Sequence, residues 1–242
     1  MNEHESLLPP FVPTRRSVKV LGLLFMVSAG ISWLAVGYDI SEIRLDIAQA
    51  GQLGGDPATR LAYDATGSIV WTVQLIALAV TATAFLTWLH RVRVNVRALG
   101  ARRLAYRREW TILGFLVPIL NLFRPYQVVR EIWQASDPST GDPMGWKVVA
   151  APRRIALWWG LFVAYFALEA LAATMIGTSV SAQVIRLGHG AGMLADLCAA
   201  LSASVAYFVV VRITEAQEAK RRAFGRGRPS DLPFDPRDAI AG

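Results

Sequence analysis

Apolar residues gather into four long runs, roughly Val18–Tyr38, Gly67–His90, Ile155–Gly177 and Gly190–Ile213, with most charged residues in the stretches between them. Each run is about as long as the ~20 residues a helix needs to cross the hydrocarbon core of a bilayer. The pattern predicts an all-α integral membrane protein with four transmembrane helices. A shorter apolar island, Trp110–Phe123, is interrupted by Pro118 and flanked by basic residues at both ends. It is too short to cross easily, so it reads as a re-entrant or interfacial segment between spans two and three, entering and leaving on the same side. The rival is a fifth span from Trp110 to Trp133. It would bury Arg124, Arg130 and Glu131 and would move Lys147, Arg153 and Arg154 to the other side.

Charge orients the spans. Of the 25 Lys and Arg, only Arg44, Arg60 and Arg186 fall in the loops after the first and third runs, leaving 22 on the other side. Short cytoplasmic segments retain Lys and Arg because translocating them is disfavoured. Both termini and the stretch Arg91–Arg154, with 12 basic and four acidic residues, are therefore expected in the cytoplasm. The net charge of +7 follows from the same rule. It is read as favouring anionic lipid headgroups rather than nucleic acid. Cys198 is the only cysteine, which excludes an intramolecular disulfide and a CxxC site.

The segments between the runs have their own signals. Residues 1–17, with Pro9, Pro10 and Pro13, read as a disordered cytoplasmic tail; Glu3, Glu5 and the prolines argue against a cleaved leader. The membrane domain is expected over 18–222. Asp39–Thr66 reads as an external loop with a turn at Gly54-Gly55-Asp56-Pro57, although Ile40–Ala48 has helical spacing and is able to prolong the first span. The second span is expected to run on as a helix to a C-cap at Gly100. Pro125 suits the first turn of a cytoplasmic helix over 125–135, stopped by Ser136-Asp137-Pro138. Glu215–Arg222 is expected to continue the fourth span, with Glu218 and Arg222 paired. Residues 223–242 read as a second disordered cytoplasmic tail.

The most individual stretch runs Phe85-Leu-Thr-Trp-Leu-His-Arg91, Asn95, Arg97-Ala-Leu-Gly100, Trp110, Gly114, Val117-Pro118, Asn121-Leu122, Arg124-Pro125-Tyr126, Arg130-Glu131-Ile132-Trp133 and Ser136. It resembles the bacterial membrane family known as domain of unknown function 4328, strongly over these residues and loosely over Asp64–Ile213. The resemblance implies a bacterial inner-membrane protein with several spans. It supplies no substrate or mechanism.

Three polar side chains fall deep within the runs. Gln74, Glu169 and Asp196 lie about 10, 12 and 9 Å below the outer ends of their spans, at 1.5 Å per residue. A carboxylate at such depth is costly and is normally turned into the bundle. Gly188, Gly192, Asp196, Ala200 and Ser204 repeat every four residues, a small-residue stripe that lets backbones approach. Glu169, Ala173 and Gly177 form a similar row. Gln74 shares a face with Thr81, and Ser28 with Ser32. Gln74, Glu169 and Asp196 are thus a candidate intramembrane pocket, with Arg186 in reach of Asp196. The competing reading is a set of interhelical hydrogen bonds that fixes the bundle.

A second candidate cluster, Arg91, Asn95, Asn121, Arg124 and Glu131, falls at the cytoplasmic interface. Asn95 and Asn121 suit backbone left open at a re-entrant end, and Glu131 suits Arg91 or Arg97. Trp88, Trp110, Trp133, Trp146, Trp158 and Trp159 follow an interfacial belt. His4, His90 and His189 are isolated, and GxSxG, P-loop and GxGxxG motifs are absent. No metal, cofactor or enzymatic activity is therefore expected. The expected role is an accessory or interaction component of a membrane process, with the lipid bilayer, other membrane proteins or further copies of the chain as partners. The alternative is a small oligomeric transporter or ligand-binding membrane protein that uses the outer polar pocket.

Overall fold

The computed structural model describes residues 9–49, 57–107, 109–140, 143–179 and 181–226, and every regular element among them is helical. Four long helices, α1 (Arg15–Gln49), α2 (Pro57–Ala98), α6 (Arg153–Thr178) and α7 (Ala182–Arg226), coincide with the four apolar runs. Each is long and apolar enough to cross a membrane. Between α2 and α6 lie three short helices, α3 (Trp110–Leu116), α4 (Pro118–Asn121) and α5 (Arg124–Ala135), and a 3-10 turn at Gly145–Val148. The turn at Gly54–Asp56, residues 1–8 of the first tail and residues 227–242 of the second lie outside the described residues.

The helices outrun the apolar runs. α2 has 42 residues and α7 has 45, about 63 and 68 Å at 1.5 Å per residue, against a hydrocarbon core of ~30 Å. Most of the expected loop Asp39–Thr66 is corrected to helix, α1 continuing to Gln49 and α2 starting at Pro57. The polar residues of that stretch keep a helical spacing, and Tyr38 and Glu42, one turn apart on α1, are hydrogen-bonded at 2.7 Å. At its other end α2 stops as expected. Gly100 has φ +84°, its N–H donates to the Arg97 carbonyl and the Ala101 N–H reaches back to Val96, which is the Schellman pattern.

α1 packs on α2 and α7, and α7 packs on α6; α2 and α6 are not packed along their lengths. The close approaches use small residues. A Cβ on Gly188 would lie 2.7 Å from Ile176 on α6, one on Gly192 3.2 Å from the Asp39 carboxylate on α1, and one on Gly22 2.8 Å from the Tyr207 ring on α7. The stripe on α7 thus serves two neighbours. The companion row on α6 is corrected: Ala173 and Gly177 are exposed, and α6 meets Gly188 through Ala172, Met175 and Ile176.

The densest core lies at one end, where α5 lies against α2. There Trp88, Leu89, Val92 and Val96 of α2 meet Val128, Val129 and Ile132 of α5 and Val209, Val210 and Ile213 of α7, all essentially without exposure. This is the basic end; the opposite end, where α1 passes to α2 and α6 to α7, is the acidic end. Four of the expected belt tryptophans are corrected to core. Trp88, Trp146, Trp158 and Trp159 are buried, and three of them donate inward, to Thr214, Arg102 and Leu122. Their indoles are more valuable here as large apolar bodies with one satisfied N–H than as interfacial anchors.

The first tail is also corrected near its end. Asn95 accepts the Val12 N–H and donates to the Val12 carbonyl, both at 2.8 Å, while Thr14 is buried and Phe11 lies under Arg221. Glu218 pairs with Arg15 rather than with Arg222. Residues 9–14 are therefore laid against α2 and α7 by backbone pairing that composition does not reveal.

Candidate functional site

Pro118 has no N–H and disfavours helix at the residue before it, and Val117 is extended (φ −83°, ψ 114°). The chain breaks there between α3 and α4 and turns back. The Arg124 guanidinium lies 5.3 Å from the Trp110 ring and 5.0 Å from Tyr106, and Gly114 leaves only 3.2 Å between its missing Cβ and that of Arg124. The two ends of the island therefore meet. Phe115 and Asn121 from this hairpin close the floor of a cavity of about 330 Å³ between α1, α2, α6 and α7.

The cavity wall is largely aromatic and aliphatic. Phe85, Phe115, Trp158, Trp159 and Phe162 follow one another at ring separations of 5.1 to 6.0 Å. Ala199, Ser202, Ala203 and Ala206 give α7 a small-residue wall. The polar edge comes from Ser28, Ser32, Gln74, Thr81 and Tyr165. Ser28 and Thr81 are hydrogen-bonded to each other at 3.0 Å. Ser202 donates to the Trp158 carbonyl.

Gln74 and Asp196 meet directly, the amide donating to the carboxylate at 2.5 Å across α2 and α7. Asp196 is buried. Glu169, half-buried on α6, makes no such direct bond to them but is close enough to Asp196 and Asp39 for the charges to interact. Two participants escaped the sequence reading. Asp39 of α1 and His189 of α7 pair at 3.2 Å, both buried, about two turns from Asp196 toward the acidic end. Their separation of 150 positions leaves no local signal, although the small residue at Gly192 makes room for the carboxylate. Arg186, expected to reach Asp196, instead donates back to Ala182 in its own helix.

The second candidate cluster does not form one site. Arg91 donates to Ser17 at the surface. Asn95 is fully buried and holds Val12 and Gln217. Asn121 lies apart, on the cavity floor, with its Oδ1 unpartnered. Arg124 stacks on the two rings and donates to Gln127. Glu131 is corrected to a partner not expected for it: Arg93, 1% exposed, at 3.4 Å. Arg93 follows Arg91 by two positions and so points to another side of α2. The Ala105 N–H also donates to Glu131. Burial raises the Glu131 carboxyl above its ordinary range, with Arg93 and the Ala105 and Tyr106 backbone acting in the opposite sense.

Gln217 and Lys220 complete this end. Gln217, without exposure, accepts from Asn95 and donates to the Val92 carbonyl and the Ser136 hydroxyl. Lys220 donates to the Ala135 carbonyl at the C-terminus of α5 and to Thr140. Both sit in the charged continuation of α7, where a sequence reading sees only a solvated helix. No group of three or more metal-ligating side chains occurs among the described residues.

The model of a family described as Domain of unknown function (DUF4328) matches residues 53–215, from just before α2 into the last turns of α7. Comparisons with the curated proteins and with the solved structures find no match.

Proposed function

The chain belongs to the DUF4328 family, and from that premise and the cavity we propose an accessory component of a membrane process that binds a small ligand between its spans. The observation that carries this reading is the Gln74–Asp196 contact beside a largely apolar cavity of about 330 Å³. Ligand sites have this character: concave, mainly apolar, with a few converging polar groups. Gln74 lines the cavity and is held from behind by the buried Asp196 carboxylate. The Trp159 indole, donating to the Leu122 carbonyl, and the Arg124 stack on Trp110 hold the hairpin that forms the cavity floor. A transport role would require further copies of the chain, since four helices alone seldom enclose a transport path.

The bacterial cytoplasmic membrane is the proposed location, with both termini and α5 inside. The distribution of 25 Lys and Arg supports that orientation, and these residues offer anionic headgroups a cytoplasmic face. The contact between Arg124 and Trp110 supports a re-entrant α3–α4 segment.

The test is access. In a Cys198→Ala background, Ala199→Cys faces the cavity, whereas Ala195→Cys is in packed core. Membrane-permeant N-ethylmaleimide should modify the first much faster than the second. Equal, negligible rates would remove the cavity as a binding site.

A further inference from the structure

We infer that the cavity is an acyl-chain site, entered sideways by a phospholipid tail passing between α2 and α6; this rests on the ligand-binding reading above. The opening has a structural cause. α1 and α7 pack against each other and each carries one outer helix, so α2 and α6 are left as the two flaps of an open bundle. They meet through Phe85 and Trp158, with ring centroids 5.6 Å apart, near the basic end. Beyond that contact, toward the acidic end, both helices line the cavity, α2 through Gln74, Ala77 and Leu78 and α6 through Phe162 and Phe166, without packing along their lengths. Phe166 is 47% exposed and forms the rim.

The rim leads further. A second cavity of about 260 Å³ shares Asn121, Trp159, Phe162 and Phe166 with the first. The two spaces thus adjoin the same aromatic row of α6. Leu122, Val163 and Ala167 complete the lining of the second.

The occupant follows from what surrounds the opening. On the outward side of α2, Ile69, Leu75, Ile76 and Val80 are all exposed and apolar, as lipid-facing residues are. Water is a poor filler for the aromatic part of the space, because the polar groups able to hold it stand at one edge, Ser28, Ser32, Gln74, Thr81 and Tyr165, and at Asn121 on the floor, while the row from Phe85 to Phe162 is apolar. An empty space forfeits dispersion contacts over its whole lining. Hydrocarbon chains are the most abundant apolar material beside the gap, and a tail that enters leaves its headgroup in the interface.

The experiment uses the full chain in vesicles of phosphatidylethanolamine and phosphatidylglycerol. A small fraction of the phosphatidylglycerol carries a diazirine on one acyl chain. After illumination, adducts are mapped by mass spectrometry. Adducts are expected at Phe115 and Ala203 inside the cavity, as well as at outward Leu75 and Ile76. Ala199→Trp should reduce the interior adducts several-fold and leave the outward ones unchanged. Ala77→Phe, which fills the cavity from α2, provides the same comparison if the first variant fails to fold. Adducts confined to outward residues would overturn the inference, as would interior adducts from a diazirine fatty acid but none from the phospholipid. If interior adducts are missing while Ala199→Cys still reacts with maleimide, the lipid assignment fails and the binding cavity stands. If neither occurs, both fail.

Discussion

Replacing Gln217 by Leu tests whether the polar junction at the basic end holds the bundle together. Gln217 makes three hydrogen bonds, to Asn95, Val92 and Ser136, at 2.9 to 3.2 Å and with no exposure. At about 1 kcal/mol net for each, the gross loss is about 3 kcal/mol. Each partner retains another bond: Asn95 keeps Val12, Ser136 keeps the Ile132 carbonyl, and Val92 keeps its place in α2. The penalty for abandoned partners is therefore small, and leucine restores some apolar burial, so the expected destabilisation is about 2 kcal/mol. Gln217→Glu should cost more, because it removes the donor and leaves a carboxylate in the same space. Asn95→Leu removes three bonds as well but should cost about 3 kcal/mol, since the Val12 N–H and carbonyl both lose Asn95 as their partner. The assay is equilibrium unfolding in mixed micelles of rising dodecyl sulfate content, followed by tryptophan fluorescence. The double variant should show a coupling of about 1 kcal/mol, the shared Asn95–Gln217 bond. Zero coupling, or a Gln217→Leu protein as stable as the parent, would refute the junction as an energetic unit.

Four further outcomes are expected. With Cys198 replaced, Ser181→Cys should react in intact cells with a membrane-impermeant thiol reagent and Ser139→Cys should not; labelling of Ser139→Cys would reverse the proposed orientation. Gly192→Leu should lower the yield of folded protein, because its side chain has to displace Asp39 from 3.2 Å away, whereas Gly190→Leu, with nothing within 4 Å, should be tolerated. Equal yields would show that α7 does not pack through that residue. The raised carboxyl of Glu131 makes the neutral form the one the fold prefers, so stability should increase as pH falls from neutral toward its unfolded value of 4.5 and should be lost as pH rises through its folded value. Glu131→Gln should flatten that part of the unfolding profile, and an unchanged profile would assign the dependence elsewhere. Arg124→Ala should expose Trp110, seen as a red shift and faster quenching by acrylamide in a protein whose other tryptophans are replaced by Phe, while unchanged quenching would show that the α3–α4 turn holds without the stacked guanidinium.

The apolar runs specify the four long helices because a bilayer demands a minimum length of continuous hydrocarbon. They do not mark where the helices end, because nothing beyond the membrane requires apolar residues. Ile40–Ala48 and Glu215–Arg222 had helical spacing, yet only packing on neighbouring helices reveals that Glu42, Gln217 and Lys220 are buried there. Gln74, Glu169 and Asp196 stood out together because a deep polar group has few places to go, but their shared depth did not say which would touch: Gln74 meets Asp196, and Glu169 makes no direct bond to either. Asp39 and His189 were not, since each is placed near a span end, where a polar residue has a sufficient explanation in water. Glu131 shows the same limit in another form: Arg91, Arg93 and Arg97 are all distant from it in sequence, and the rotation of α2 selects Arg93.

The docking of Val12 on Asn95, beside Gln217, has a consequence for biosynthesis. Val12 leaves the ribosome ahead of the four spans, Asn95 only after the second of them is made, and Gln217 after the fourth. Arg15 waits equally long for Glu218, and Phe11 for Arg221. The leading segment can meet Asn95 once α2 is made, but it completes its docking only when the last helix emerges. Its full protection from proteolysis is a timestamp for completed assembly: a chain arrested before Gln217 would remain more easily clipped there even with its earlier spans inserted.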